Sequence, residues 1–447
     1  MINTLRARGI QAAKNQMQSR SARGALGTFV LTASFAGLSF VISIVLARLL
    51  GSNAYGAYAY AMAWVTFLIT PALFGLDTLI VRQTAVYATH NSWPLARGIL
   101  AWAGRTVLLV GSVIALVVAI GAWFVLQNAP LQNRATFLVA LVLVPIMALA
   151  RLRQAVLRGF REVVSGLWPE TLVQPLLLLT FIGALHWWLG GRLTPQSAMG
   201  LNIVATIVAF GIGAWVLQAK LPAQMQIEPQ SETSLWKQSA WPLFTLSLLH
   251  VTYAQVDMLL LGALKGVEVA GIYAMAKWLS GVIGLVVTAV NAVLAPSAAS
   301  LYTMGNIQGL QNTVTKSARA LLFLSLPLTL FLMLFGTPVL KLAGAEFARG
   351  QMALVVLCIG QLVNAAMGSV GLLLMMTGHE RDAAKGIGCG ALANAVLSAL
   401  LIPPFGLEGA AYAASLSLIL WNVVLAVVVR RRLAIDSTAF FVRRKGQ

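Results

Sequence analysis

Acidic residues are scarce in this 447-residue chain: 12 Asp and Glu stand against 31 Lys and Arg, and both signs together make only 10% of it. Soluble domains carry about a quarter charged residues, so a water-solvated globule is excluded. Cysteine is nearly absent too. Cys358 and Cys389 both fall in apolar stretches, which leaves neither a disulfide framework nor a metal site and makes them packing thiols. The sequence lacks a Gly-Lys-Ser/Thr phosphate loop, which argues against a built-in ATPase. It also lacks any loop long enough to fold alone, which argues against an enzyme with an extramembrane catalytic domain.

What is abundant is apolar sequence: 59% of residues are hydrophobic and the mean hydropathy is +0.85. A bilayer core needs about 20 apolar residues per helix, and twelve such windows can be cut. In the first half they are Gly24–Leu50, Gly56–Val81, Gly98–Leu126, Thr136–Leu157, Gly166–Leu189 and Pro195–Ala219. The second half gives Ala240–Leu264, Val269–Tyr302, Ala318–Leu342, Gln351–Thr377, Ala383–Pro403 and Leu407–Val429. The first run lacks a small-residue cleavage site and is read as an uncleaved helix.

Positive charge sets the orientation. The tail with Arg6, Arg8, Lys14, Arg20 and Arg23, the loop with Arg151, Arg153, Arg158 and Arg161, and the tail with Arg430, Arg431, Arg432, Arg443, Arg444 and Lys445 fall on one face. The other face has single cations: Arg48, Arg134, Arg192, Lys265, Lys341 and Arg349. Both termini are therefore expected in the cytoplasm. The net charge of +19 is topology signal plus attraction to an anionic leaflet, not a nucleic-acid footprint.

Leu49, Gly51, Gly56, Tyr58 and Ala59 recur about 215 positions later as Leu264, Gly266, Gly271, Tyr273 and Ala274. Each set marks an external turn between the first two helices of a half, where Gly permits a tight reversal. Six helices is an even number, so the halves share an orientation and are related by an axis along the membrane normal. The expected fold is all-α: a polytopic membrane protein of two pseudo-symmetric six-helix bundles, at 1–220 and 239–447. The polar stretch 221–238 between them reads as a cytoplasmic linker.

At Ile44–Tyr60, IVLARLLGSNAYGAYAY, and at Tyr253–Trp278, YAQVDMLLLGALKGVEVAGIYAMAKW, the chain resembles bacterial polysaccharide flippases. These are the O-antigen and exopolysaccharide members of the multidrug/oligosaccharidyl-lipid/polysaccharide exporter superfamily. GLDTLIVRQTA at Gly75–Ala85 and the segment around Pro296 extend the likeness. The resemblance implies a non-enzymatic transporter of the inner membrane that flips undecaprenyl-pyrophosphate-linked oligosaccharide by alternating access. It implies no cofactor beyond coupling to protons, sodium or membrane potential, and other glycan-assembly membrane proteins as partners.

Ionisable residues inside a span are costly and normally pair or line an aqueous path. Asp257 and Lys277 lie at matching depth on consecutive antiparallel spans, as an ion pair fixing register or as a gate. Asp77 and Arg82 sit at the internal end of the second span. Arg105 lies about two turns into the third, so Arg82, Arg105, Arg151 and Arg153 are candidates for a cationic cavity that attracts pyrophosphate; snorkelling and topology are the plainer alternatives. Glu170 is placed to neutralise one arginine of the cluster. His250, near mid-membrane, is a packing residue or, with Asp77, a coupling site. Gln174, Asn291 and Asn364 are expected to bond between helices or to line a cavity for sugar hydroxyls. A cation-coupled drug exporter of the same superfamily is the rival reading, and a membrane glycan polymerase or ligase the rival from the enzyme class.

Overall fold

The computed structural model describes residues 2–440 except 128, 189, 191, 192, 226 and 227, with side chains from residue 27 onward. The basic side chains before residue 27, Arg192 and the tail from residue 441 lie outside the described residues. Among those described, every regular element is helical. Ten helical runs are long and apolar enough to cross a bilayer.

Two of the ten are too long for one crossing. α1 (Ile2–Leu73) is broken at Gly51 (φ 76°, ψ 171°), and α14 (Glu380–Leu433) at Gly406 (φ 57°, ψ −121°). At 1.5 Å per residue the apolar part of α1 alone would span about 70 Å, against a hydrocarbon core of about 30 Å. Divided at these glycines, the ten runs become twelve spans, as the sequence predicts. The next break repeats the geometry: α9 (Thr233–Lys265) and α10 (Val267–Thr303) meet at Gly266, φ 89°, ψ 167°. Gly51 and Gly266, paired by the internal repeat, thus make the same left-handed turn, which a Cβ would disfavour.

Several spans are less regular than the sequence suggests. The second span does not run unbroken to Val81: Phe74 and Gly75 take positive φ and a separate α2 (Leu76–Thr89) follows. The cause is packing, since a Cβ on Gly75 would lie 2.8 Å from the Ala240 carbonyl of α9. α3 (Trp93–Val125) is continuous. The fourth span divides into α4 (Leu131–Ala140) and α5 (Leu143–Gly159). The fifth comprises α6 (Val163–Trp168), a π turn at Pro169–Val173, and α7 (Gln174–Trp188). α8 (Pro195–Lys220) closes the first half behind a Thr194–Ser197 capping box. Because α9 starts at Thr233, helix begins inside the stretch read as linker. α11 (Ile307–Lys341) is followed by α12 (Gln351–Met367) and α13 (Val370–Met376), split at Gly368 where the sequence suggests one helix.

Contacts between loops sort the ends into two faces. On one, the Ser52 amide donates to Glu346 at 3.1 Å, Arg349 pairs with Glu268 at 3.4 Å, and Lys265 donates to the Pro403 carbonyl at 2.8 Å. On the other, Lys220 pairs with Glu162 at 3.4 Å, the Gln230 amide donates to the Pro94 carbonyl at 3.0 Å, and Arg432 pairs with Asp382 at 3.0 Å. Each contact joins loops of the same parity in a twelve-span chain. The second face carries Arg158, Arg161 and Arg430–Arg432, so it is the basic one.

Candidate functional site

The two halves meet tightly at the non-basic face. A Cβ on Gly56 would lie 2.0 Å from the Val267 carbonyl oxygen, and one on Gly271 would lie 2.6 Å from the Gly56 Cα. These two glycines are equivalents in the repeat, so the approximate two-fold axis passes between them. Beside them Tyr55 packs edge-on to Phe347 with centroids 5.7 Å apart, and two turns further along α10 Trp278 stacks on Phe40 at 4.9 Å. This face is sealed.

Below the seal the halves part. A cavity of about 260 Å³ lies between Met62 and Thr66 of α1, Gln255 of α9, and Lys277 and Trp278 of α10. It adjoins a second of about 510 Å³, with which it shares Thr66, Ala254 and Gln255. The second is walled by Thr70, Asp77, Arg151, Ser247 and His250, and reaches Met375 and Ile387. Those two lie near the basic-face ends of α13 and α14, so the combined cavity opens toward the basic face. α9 supplies one wall in helical register: Ser247, His250, Val251, Ala254, Gln255 and Met258 recur every three or four residues.

Lys277 forms the floor. Its Nζ lies 2.7 and 2.8 Å from the two Asp257 carboxylate oxygens and donates to the Ala254 carbonyl at 2.7 Å. Asp257 is fully buried and also accepts from the Tyr273 hydroxyl at 2.6 Å and the Met258 amide at 2.8 Å. Three donors make four contacts with one carboxylate, while the lysine keeps a third of its side chain exposed to the cavity. Burial of such a pair is tolerable only with this degree of hydrogen bonding.

Of the four arginines read as one cationic cavity, Arg151 alone lines this space. Arg153 is 4% exposed and points the other way, into the first bundle. There it forms a 2.5 Å ion pair with Glu170 and donates to the carbonyls of Gly213 and Gly166. The π turn at Pro169–Val173 aims Glu170 at it. The helical repeat explains the split, because residues two apart on a helix point about 200° apart. Arg82 and Arg105 are exposed and line neither part of the cavity.

The amides also fall elsewhere. Gln174 donates to Asn202 at 2.9 Å, and Asn202 to the Tyr58 hydroxyl at 3.0 Å, a network inside the first bundle. Asn291 accepts from Ser369 at the break between α12 and α13. Asn364 is half-buried and does not line the cavity. Sequence reasoning missed Gln255, Thr66, Thr70 and Ser247. The signal for two of them was the polar stripe shared with His250 on α9.

Arg151 and Lys277 are matched by Asp77 and the buried Asp257, so His250 apart the cavity is polar with no formal excess of positive charge. Arg151 shares the mouth with Asp77, its electrostatic neighbour. The site offers one guanidinium near the entrance, one ammonium at the floor, and hydroxyl and amide groups between them.

A model described as "polysaccharide biosynthesis protein" matches residues 21–302. The chain is 23% identical over 402 residues, 89% of its length and 80% of the relative's, to a probable low-salt glycan biosynthesis flippase, Agl15, of Haloferax volcanii. Its fold is similar to a multidrug resistance MATE family transporter of the MOP superfamily in an inward-facing conformation. That match has a TM-score of 0.73 at 14% identity, covering 90% of this chain and 94% of the other. The lipid II flippase MurJ in an inward closed conformation gives 0.70 at 14% identity, covering 91% and 87%.

Proposed function

This chain belongs to the polysaccharide biosynthesis protein family, and from that premise we propose that it flips a polyprenyl-pyrophosphate-linked oligosaccharide across a bacterial inner membrane. It is a multi-pass transporter rather than an enzyme. The observation that carries the reading is the cavity between the halves, sealed at one face, open at the basic face and lined by groups suited to a charged glycan. With both termini and the linker in the cytoplasm, as the positive charge favours, the cavity faces the side on which such lipids are assembled. Arg151 supplies the fork that suits phosphate oxygens, and Gln255, Thr66, Thr70 and Ser247 offer partners for sugar hydroxyls. Parting of the Gly56–Gly271 seal and closure at the basic face would complete alternating access. His250 and Asp77, which both line the cavity, are the groups through which a proton or sodium gradient would act.

The balanced charge of the cavity and the likeness to a multidrug transporter favour the drug exporter as the second reading. A strain lacking the gene separates the two. Accumulation of a lipid-linked oligosaccharide on the inner leaflet, with loss of the surface glycan, is the expected result. Intact glycan with new drug sensitivity would transfer the assignment to the exporter.

A further inference from the structure

α13 stands between two joints. Gly368 before it and Gly378 after it both take positive φ, 77° and 79°, a conformation that Gly adopts at no steric cost. The seven-residue helix between them sits at the basic-face mouth of the central cavity, which Met375 lines. A Cβ on Gly378 would meet nothing within 4 Å, so that joint has room to turn. Short, flanked by glycines and facing the cavity, α13 has the build of a lid.

Its opposite side is held by the chain that follows α14. Ile435, Ser437 and Ala439 are buried, whereas Asp436 and Thr438 are only half-buried, the alternation of an extended segment. Ile435 belongs to one apolar cluster with Val314 of α11 and with Val370 and Leu373 of α13. The Gln311 side chain clasps the Asp436 backbone, donating to its carbonyl at 2.7 Å and accepting from its amide at 2.8 Å. The Ala439 amide donates to the Ala366 carbonyl at 3.0 Å, one of the groups that the end of α12 leaves without a helical partner. The Ser437 carbonyl fills the space that a side chain at Gly368 would need. The segment therefore ties α11 to the joint at the head of α13.

This seat is incomplete, and the fold stands without it. The Ser437 hydroxyl is buried with no hydrogen-bond partner among the described residues, and its uncompensated desolvation weakens the seat. The internal repeat shows the same space with no segment in it. The turn into α11 has Gly305 at positive φ and the Asn306 amide bonded to Leu301, and the turn into α3 matches it with Asn91 and the Ser92 amide bonded to Tyr87. In that register Arg97 is the counterpart of Gln311, and Arg97 lines an open cavity of about 630 Å³ among α3, α5 and α8. A bundle of this kind keeps its form with the space unfilled.

We propose that α13 is the lid that closes the central cavity at the basic face, and that Ile435–Ala439 is a strap holding it open. Arg151 and Met375 line the cavity from opposite halves; with the strap released, α13 swings about Gly368 and Gly378 and carries Met375 toward α5. The proposal rests on the alternating-access reading but not on which cargo is carried.

The test is the distance across the mouth, measured by double electron–electron resonance between nitroxides on Arg158→Cys, exposed at the end of α5, and Met375→Cys. It uses the full-length protein in lipid nanodiscs, with Cys358 and Cys389 replaced by Ala. Gln311→Ala removes two hydrogen bonds from the strap and should raise the ratio of short to long distances about tenfold, as two bonds of ordinary net strength dictate. Ser437→Ala removes the uncompensated hydroxyl and should lower that ratio. A strap that only stabilises the fold would move the melting temperature and leave the distances alone. Unchanged distances in protein that melts cooperatively, or shifts of the same sign in the two variants, would overturn the proposal. If Gln311→Ala does not fold, Ser437→Ala decides alone: a lower ratio supports the lid and an unchanged one contradicts it. Either result leaves the choice of cargo to the deletion strain.

Discussion

Arg151 and Arg153 stand two positions apart on α5 and meet opposite surroundings. Arg153 is locked to Glu170, itself only 16% exposed, so Arg153→Gln leaves a buried carboxylate unpaired and should cost about 3–5 kcal/mol. Thermal unfolding in detergent checks this, and the loss should be of folded protein. Arg151→Gln should leave the melting temperature nearly unchanged and impair transport. The floor pair makes a directional prediction as well. Lys277→Met strands the fully buried Asp257, whereas Asp257→Ala strands a lysine that the cavity still hydrates, so the first should destabilise more. The double variant should cost less than the two losses added, and a double-mutant cycle of unfolding measurements shows whether the residues are coupled. At this scale the sequence carried depth but little azimuth. Asp257 and Lys277 were legible because consecutive helices put them at one depth. The four arginines were not, because apolar spans carry no polar stripe to say which face looks inward, although the two-residue spacing of Arg151 and Arg153 already argued against a shared face.

Among the helices, the decisive contact is the crossing of α1 and α10 at Gly56 and Gly271. A methyl group at either position collides with backbone, which cannot swing aside as a side chain can. Gly56→Ala and Gly271→Ala should therefore disfavour the sealed state and shift the population toward opening at the non-basic face. A cysteine placed at Ser52, in a background with Cys358 and Cys389 replaced by Ala, should then react faster with an external thiol reagent; unchanged reactivity would remove the glycine contact from the gate. The repeat around these glycines was readable because turns and close approaches demand particular residues. The breaks at Phe74–Gly75 and within the fourth and tenth spans were not. The chain breaks at Gly75 where α9 crosses it, and Gly368 sits against the Ser437 carbonyl beyond the end of α14; hydropathy has no term for either contact.

For the whole molecule, the twelve-span plan follows from a physical demand that composition already states, since each segment must satisfy its own backbone in lipid. The loop contacts add the two faces, and the proposed orientation, with the basic face in the cytoplasm, follows the positive-charge rule. A cysteine at Gln230 should be protected from an impermeant reagent in intact spheroplasts, and one at the exposed Arg349 should be labelled; the reverse pattern would invert the protein. The most direct measurement of the central claim is the rate at which purified protein in liposomes translocates a polyprenyl-pyrophosphate-linked oligosaccharide, compared with its Arg151→Gln variant. Wild type should flip the lipid, and the variant should be slower by about tenfold or more, the loss expected for one hydrogen bond to a charged group. Absence of flipping by folded wild type, or an equal rate from the folded variant, would contradict the account.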